Sequence, residues 1–217
     1  GLPRTEGHKR GEAALLDVVA GAIDMGCTHL SAYAFSTENW KRPRPEVDFL
    51  MSLFSEYLEK EIQEMEENHV RLRFLGREDG MSEALLGKMH AAEARLAGND
   101  GLQFNIAANY GGQDEILRAA RTLAVRARAG EIAPEDIDEA MFAGALDTAG
   151  QPPVDLVIRT SGDLRLSNFL LWQAAYAEFW FTETNWPDFT PEEFVGALID
   201  FAHRRRRFGG LNPSEGK

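Results

Sequence analysis

The sequence predicts a single α/β domain in which helices flank a mainly parallel sheet. Segments with apolar residues at helical spacing alternate along the chain with short apolar runs, a pattern typical of layered α/β folds. The chain has 217 residues, of which 44% are hydrophobic, so one domain can bury a substantial core. No repeat, low-complexity tract or linker interrupts the pattern. We therefore expect one domain over residues 1–217.

The first half of the chain contains two helix–strand units and a third helix. A helix is predicted over 11–25 because Leu15, Val18 and Ala22 lie at helical spacing before Gly26. A strand follows over 28–35. Apolar residues at helical spacing then predict a long helix over 46–68. The next elements are a strand over 70–75 and a helix over 82–97.

The second half continues the alternation. The predicted elements are a strand over 102–108, a helix over 113–128, a shorter helix over 134–146, a strand over 155–159 and a short aromatic strand over 178–181. The turn Asn109-Tyr110-Gly111-Gly112 precedes the helix over 113–128. Thr190-Pro191-Glu192-Glu193 has the form of a capping box with proline at the first helical position, and it predicts a last helix that runs into the arginines.

Composition excludes several classes of protein. The net charge is −12, and phosphate backbones repel an acidic chain, which argues against a nucleic-acid partner. The single cysteine, Cys27, permits neither an internal disulfide nor a zinc cluster. No apolar run approaches the roughly 20 residues that a membrane helix needs. These features fit a cytoplasmic protein. Against this acidic background, the run from Arg204 to Arg207 indicates either a compact anionic ligand or a solvated face.

Polar residues cluster after two of the predicted strands. Ligands of open α/β sheets bind at the carboxyl ends of strands, so these segments are the candidate site. After the first strand come Phe35, Ser36, Glu38, Asn39, Trp40 and Arg42. An ordinary loop has a similar composition, so the residues alone do not distinguish a binding site from a loop without a binding role.

The segment after the fourth strand has the composition of a diphosphate cradle. Arg159 and Arg165 can each fork onto phosphate oxygens, and Ser167 adds a hydroxyl donor. Gly162 permits a tight turn, and amides at the start of a following helix are expected to face the same anion. The alternative is a salt-bridged turn in which Asp163 pairs with the arginines.

Taken together, the ordered segments resemble signature blocks of the undecaprenyl-diphosphate synthase family of cis-prenyltransferases. The first two blocks are Ser36-Thr37-Glu38-Asn39-Trp40 and the segment from Arg159 to Phe169. Further matching blocks are Arg4-Thr5-Glu6-Gly7-His8-Lys9, Asn105-Ile106-Ala107-Ala108-Asn109-Tyr110-Gly111-Gly112, Trp172-Gln173, Ala175-Tyr176-Ala177-Glu178, Trp186-Pro187-Asp188-Phe189 and Arg206-Arg207-Phe208-Gly209-Gly210. The resemblance covers nearly the whole chain.

The resemblance implies an Mg²⁺-dependent homodimer that condenses isopentenyl diphosphate with an allylic diphosphate, farnesyl diphosphate being the expected starter. It assigns proton removal to His8, Ser36 and Asn39. It assigns the allylic diphosphate to Arg4, His8, Phe35, Ser36, Glu38, Asn39, Trp40 and Arg42. It assigns isopentenyl diphosphate to Arg159, Arg165 and Ser167, with Arg207 and Gly209 closing over diphosphate from the chain end.

The sequence departs from the family pattern in two places. The family's first strand and its Asp-Gly-Asn-Gly-Arg block, which carries the principal Mg²⁺ ligand, do not precede Arg4, so we expect the natural protein to be longer. Glu178 is then the remaining carboxylate assigned to Mg²⁺. Asp163 stands where the family usually has glutamate, and Leu164 where a polar residue is common; prenyl transfer is expected to survive both.

The expected product length depends on a predicted tunnel. Leu50, Phe54, Leu58 and Ile62 either line that tunnel with Ala34 or form ordinary core. Small Ala34 favours long products such as undecaprenyl diphosphate, the precursor of a cell-wall lipid carrier, made by a cytoplasmic enzyme in transient contact with the membrane. The alternatives are a short-chain cis-prenyl diphosphate synthase, a non-catalytic subunit of such an enzyme and an unrelated phosphate-binding protein.

Overall fold

The computed structural model describes residues 4–205, apart from the side chains of Arg4, Thr5, Glu6 and His8. The helices are α1 (Arg4–Asp24), α2 (Arg44–Glu67), α3 (Glu83–Leu96), α4 (Gly112–Arg128), α5 (Glu139–Ala143) and α6 (Pro191–His203). The strands are β1 (His29–Ser36), β2 (Arg71–Leu75), β3 (Gln103–Tyr110), β4 (Leu156–Arg159) and β5 (Glu178–Phe181). The five predicted strands are confirmed, each within two residues of its predicted ends.

All strand pairs in the described chain are parallel. β3 lies between β1 and β2, with Ile106 opposite Ala32 on one side and Phe74 on the other. β4 pairs with β5, so that Arg159 lies opposite Phe181. Every residue of β3 is buried, as expected for a parallel strand covered on both faces. The α/β prediction is confirmed.

The sheet is divided into two parts between β1 and β4. In residues 4–205 these two strands are not hydrogen-bonded to each other. Instead, every residue from 28 to 35 and from 154 to 161 borders one large cavity. Paired strands lie about 4.8 Å apart, so the free edges of β1 and β4 face each other across open space.

Two apolar clusters cover the two faces of the larger sheet. The main cluster joins α1, α2, α3 and α6 to β2 and β3, with Phe104 and Leu96 fully buried in it. The smaller cluster, on the other face, contains Tyr110 and Leu170. These layers hold the carboxyl ends of β1, β3 and β4 at the same side of the molecule.

The prediction of a single helix over 134–146 is wrong. A 3₁₀ turn occupies Pro134–Asp136 and only α5 follows as α-helix. The Asp136 carboxylate accepts a hydrogen bond from the Ala133 amide at 3.0 Å, and the Asp138 carboxylate accepts one from the Met141 amide at 2.8 Å. Two elements start so close together because the N-cap residues Ala133 and Asp138 are both extended, which prevents one continuous helix.

The capping prediction for the last helix is confirmed. The Thr190 hydroxyl accepts a hydrogen bond from the Glu193 amide, and Pro191 occupies the first position of α6. Across residues 4–205, none of the helices combines the length and the apolar character required to span a lipid bilayer.

Candidate active site

Two adjoining cavities lie at the carboxyl ends of β1 and β4. The smaller, of about 550 Å³, is lined by Tyr33, Ala34, Phe35, Ser36, Glu38, Asn39, Arg42, Arg159, Ser167 and Asn168. The structure therefore brings together two sequence segments that are more than a hundred residues apart. Of the predicted site residues whose side chains are described, Trp40, Arg165 and Glu178 do not line this cavity, and Arg165 borders its larger neighbour.

The larger cavity, of about 1340 Å³, changes character with depth. Its mouth is bordered by Arg42, Arg159 and Arg165. Its deep part, which we call the tunnel, is walled mainly by apolar side chains of α1, β1, α2 and α6. These include Leu15, Val18, Leu30, Ala32, Leu50, Met51, Leu53, Phe54, Phe194 and Leu198. A cationic mouth with an apolar interior suits a ligand that has an anionic head and a hydrocarbon tail.

The loop after β1 is held in shape by its own hydrogen bonds. The Asn39 side chain accepts a hydrogen bond from the Ser36 amide at 2.9 Å, which starts the 3₁₀ turn Thr37–Lys41. Trp40 donates its indole N–H to Asn109 Oδ1 at 2.7 Å and packs edge-on against Phe35. Trp40 therefore anchors the loop to the end of β3, whereas Ser36 and Asn39 face the smaller cavity.

Glu38 is an ionised acceptor at the rim. Partial burial raises its pKa, but hydrogen bonds from the backbone, from Ser36 and from Asn168 outweigh that effect and hold the pKa below its usual range. Asn168 Nδ2 donates to Glu38 Oε1 at 3.1 Å. The two predicted site segments are thus joined by a direct hydrogen bond.

Asp163 links the two arginines of the second segment. Its Oδ2 atom accepts hydrogen bonds from Arg159 at 2.6 Å and from Arg165 at 2.7 Å. The hydrogen bond from Arg159 is the largest cause of a lowered pKa at Asp163. Arg159 Nε is buried and has no hydrogen-bond partner within the described chain. The salt-bridged turn is therefore present, and it holds both guanidinium groups at the mouth of the cavity.

No helix follows this turn in residues 160–177, so the prediction of helix-start amides here is wrong. The amides of Ser161 and Gly162 donate instead to the carbonyls of Thr184 and Thr182. Both residues have a positive φ, and a side chain at position 162 would lie 2.5 Å from Glu183. Gly162 suits this turn against the end of β5 because its φ is positive, a conformation that strains most other residues.

The helix start near the site belongs to α4. The Asn168 carbonyl accepts a hydrogen bond from the Gly112 amide at 2.7 Å, and its side chain accepts one from the Gln113 amide at 2.8 Å. A side chain at Gly111 would lie 2.8 Å from Asn168, and one at Gly112 would lie 2.8 Å from Leu171. The double glycine lets the segment around Asn168 dock on α4, which sequence reasoning did not foresee.

A buried polar network supports this segment from below. Glu115 is buried and accepts hydrogen bonds from the Tyr110 hydroxyl and from Gln173. Tyr33 donates to the Tyr110 carbonyl at 3.0 Å and stacks on Phe169 at 4.6 Å. These supports are not predictable from the sequence, because a buried acid with two neutral donors has no recognisable motif.

The tunnel prediction holds for part of α2. Ala34, Leu50 and Phe54 border the cavity, whereas Leu58 and Ile62 belong to the main core. The other α2 residues that border the cavity at this level are Leu53 and Tyr57. Core and tunnel residues have the same composition, so only their position distinguishes them.

Glu178 lies at the first position of β5, opposite Leu156 and therefore at the amino end of the strand pair. Its carboxylate is 3.2 Å from Arg204, which also pairs with Asp200 at 2.6 Å. Arg204 therefore has a structural role. The predicted residues Arg207 and Gly209, and the side chains of Arg4 and His8, lie outside the described residues.

Comparison with known proteins agrees with this geometry. Residues 1–209 match the family model described as "putative undecaprenyl diphosphate synthase". The chain is 47% identical over 215 residues to a farnesyl-diphosphate-specific ditrans,polycis-undecaprenyl-diphosphate synthase of Legionella pneumophila strain Paris, covering 99% of this chain and 90% of that protein.

Two solved structures have the same fold. Lavandulyl diphosphate synthase from Lavandula x intermedia, in complex with dimethylallyl diphosphate, has a TM-score of 0.92 at 34% identity, covering 96% of this chain and 90% of the other. A probable undecaprenyl diphosphate synthase from Campylobacter jejuni has a TM-score of 0.82 at 35% identity, with 93% and 92% covered. The chain therefore belongs to the undecaprenyl diphosphate synthase family of isoprenyl transferases.

Proposed function

We propose that this protein condenses isopentenyl diphosphate with an allylic diphosphate, farnesyl diphosphate being the expected starter, to give a long-chain cis-polyprenyl diphosphate. The observation that carries the proposal is the graded cavity, with Arg42, Arg159 and Arg165 at its mouth and apolar walls behind them. Diphosphates need fixed cationic donors, and a growing hydrocarbon chain needs a cavity that excludes water.

The two halves of the site support different roles. Arg159 and Arg165, held by Asp163, suit the diphosphate of isopentenyl diphosphate, and Ser167 lies beside them. The loop Thr37–Lys41 and Arg42 suit the allylic diphosphate, whose departure leaves charge that guanidinium groups stabilise. Ser36, Asn39 and His8 remain the proposed groups for removing the proton from isopentenyl diphosphate.

Magnesium dependence remains a prediction of the resemblance. Within the described residues no three His, Cys, Asp or Glu side chains come together as a metal site, and Glu178 is paired with Arg204. The described residues therefore do not by themselves provide a complete set of ligands for Mg²⁺. We propose that the principal ligand is the aspartate that the family resemblance implies, which lies outside the described residues.

The test is incorporation of labelled isopentenyl diphosphate by the full-length protein with farnesyl diphosphate and Mg²⁺, followed by sizing of the products. A ladder that ends near undecaprenyl length supports the proposal. A product with a single added or irregularly joined unit would favour the short-chain class, which the similarity to lavandulyl diphosphate synthase keeps as a second candidate. No incorporation would favour a non-catalytic subunit.

Ala34→Leu is expected to shorten the products. Ala34 borders both cavities where the mouth meets the tunnel, and a larger side chain there narrows the path of the growing chain. Product sizing against the wild-type protein measures the effect. Leu58→Ile, a change of similar volume in the main core, is the control, and an unchanged ladder in Ala34→Leu would refute this placement of the tunnel.

We also propose a cytoplasmic homodimer that releases its lipid product at the membrane surface, where the product serves as a precursor of a cell-wall lipid carrier. The support for the dimer is the outer strand β5, on which Phe179 and Phe181 are exposed and stacked with ring centroids 5.8 Å apart. Exposed aromatic pairs on an edge strand are typical of protein interfaces.

A further inference from the structure

The side chain of Asn109, at the end of β3, joins the loops that follow β1 and β2. Its oxygen accepts a hydrogen bond from the Trp40 indole N–H at 2.7 Å. Its nitrogen donates to the carbonyls of Arg77 and Asp79 at 3.0 and 2.9 Å. Trp40 follows β1, whereas Arg77 and Asp79 follow β2. One amide group therefore uses both its donors and its acceptor to link the strands on either side of β3.

Asn109 is itself firmly held. The residue is 3% exposed, and its carbonyl accepts a hydrogen bond from the Arg77 amide at 3.1 Å. Its φ of +51° is a conformation that asparagine tolerates better than most residues. The ends of β2 and β3 are so close that a side chain at Gly76 would lie 2.1 Å from the Ala108 carbonyl oxygen. The hydrogen bond to Trp40 therefore attaches the loop after β1 to a well-packed part of the sheet.

Two further neighbours fix the Trp40 indole. Its ring packs edge-on against Phe35, with the centroids 5.1 Å apart. On another side lies Gly80, where an added side chain would come within 3.2 Å of the indole. Trp40 belongs to the 3₁₀ turn Thr37–Lys41, which also carries Asn39 at the smaller cavity. The position of the indole therefore determines the position of this turn.

We propose that Asn109 is a positioning residue for the allylic diphosphate and acts through Trp40 on the turn Thr37–Lys41. The inference rests on the proposed function, which assigns this turn and Arg42 to the allylic substrate. Neither Asn109 nor Trp40 borders the two cavities formed by the described residues, so both act by holding the turn in shape. A turn that is already ordered loses less conformational entropy when a ligand binds.

The site proposed for isopentenyl diphosphate depends on different contacts. Arg159 and Arg165 are held by Asp163, and none of these three residues is hydrogen-bonded to Asn109 in the described chain. Loss of the Asn109 side chain should therefore weaken the binding of the allylic substrate and leave that of isopentenyl diphosphate nearly unchanged. A residue that only stabilised the fold would not separate the two substrates.

The test removes the Asn109 side chain from the full-length protein. Asn109→Gly eliminates its three hydrogen bonds and adds no backbone strain, since glycine adopts positive φ freely. We expect the Kd for farnesyl diphosphate alone, measured by isothermal titration calorimetry, to rise about fivefold, the scale of one hydrogen bond. The KM for isopentenyl diphosphate should stay close to that of the wild type. Hydrogen exchange of residues 36–42 should become faster.

A double-mutant cycle tests the route through Trp40. Trp40→Phe removes the indole donor and keeps an aromatic ring, so it should raise the Kd in the same direction as Asn109→Gly. Its effect should be largely lost in the Asn109→Gly background, because both changes eliminate the same hydrogen bond. Fully additive effects would overturn the proposed route.

Asn99→Gly is the matched control. The Asn99 side chain donates to the Val70 carbonyl at 2.7 Å, next to the amino end of β2, and Asn99 borders neither cavity. Its Kd for farnesyl diphosphate should match the wild type even if its Tm falls. An unchanged Kd in Asn109→Gly would overturn the inference, and so would an equal loss for both substrates.

Direct binding separates this inference from the proposed function. A wild type that binds farnesyl diphosphate but does not incorporate isopentenyl diphosphate would reject the proposed reaction, and the Kd values would still decide the role of Asn109. A wild type that does not bind farnesyl diphosphate would overturn both. Should Asn109→Gly fail to fold, Trp40→Phe decides, and an unchanged Kd in that variant would overturn the inference.

Discussion

Asp163 holds two arginine side chains with a single carboxylate oxygen. Arg165 is largely exposed and Arg159 is about two-thirds buried, so the carboxylate limits the motion of one and offsets the mutual repulsion of both. The pair is a positioning device, because guanidinium groups that are already oriented lose less conformational freedom when diphosphate binds.

Asp163→Asn is expected to raise the KM for isopentenyl diphosphate by about fivefold, the scale of a partly exposed ion pair, with a smaller effect on kcat. Steady-state kinetics measures the effects on KM and on kcat separately. Asp163→Glu, the residue usual in the family, is expected to restore the KM. An equal loss of kcat in Asp163→Asn, without rescue by glutamate, would contradict a positioning role.

The pH dependence of this contact follows from the lowered pKa of Asp163. A carboxylate whose pKa is lower in the folded state stabilises that state above its usual pKa, near 3.8, and the contribution is lost as the pH falls through the lowered value. The link is therefore intact near neutral pH. Changes in KM near neutral pH must come from other groups, since Asp163 stays ionised there.

At the scale of elements, the site depends on how the segment after β4 docks on α4. Asn168 satisfies two amides of the α4 amino terminus and also reaches Glu38. It has a φ of +63°, a conformation that asparagine tolerates better than most residues. One residue thus fixes the helix start, the arginine-bearing turn and the loop after β1.

Asn168→Ala is expected to destabilise the protein by about 1–2 kcal/mol, because it removes a capping side chain and places alanine at positive φ. That corresponds to a fall in Tm of about 2–8 °C for a chain of this size. Asn168→Gly also lacks the capping side chain, but glycine adopts positive φ without strain. Its Tm should therefore lie between those of Asn168→Ala and the wild type. Thermal unfolding followed by circular dichroism checks the order, and a Tm of Asn168→Ala equal to wild type would exclude the capping role.

At the scale of the whole molecule, the short strand β5 pairs only with β4 in the described chain, and on its other edge no strand follows, although Arg204 donates a hydrogen bond to the Phe179 carbonyl at 2.8 Å. Phe179 and Phe181 project from the same face of this strand, and Trp180 between them packs towards the core. An aromatic pair at an open sheet edge is expected to be covered by a second copy.

Phe181→Glu is expected to shift the protein from dimer to monomer, because a charge in an apolar interface is costly to bury. Size-exclusion chromatography with light scattering measures the mass, against 24.2 kDa for one copy of the chain as given. Leu117→Glu changes an exposed apolar residue on α4 and should leave the mass unchanged. A monomeric wild type would remove the basis for this interface.

The order of helices and strands, the parallel sheet and the two segments that meet at the site follow from the amino-acid sequence alone. Apolar spacing specifies which face of each element is buried, and parallel strands bring their carboxyl ends to one edge. Family membership also followed from the sequence, since Ser36 to Arg42 and Arg159 to Asn168 stand in the expected order.

The fold shows which polar side chains already have hydrogen-bond partners and which face the cavities. It placed Asn168 on α4, gave Trp40 a supporting role and paired Glu178 with Arg204. It also separated Leu50 and Phe54, which line the tunnel, from Leu58, which belongs to the core. The physical reason is that helical spacing identifies a buried side but not the neighbour behind it, which depends on contacts between residues distant in the chain.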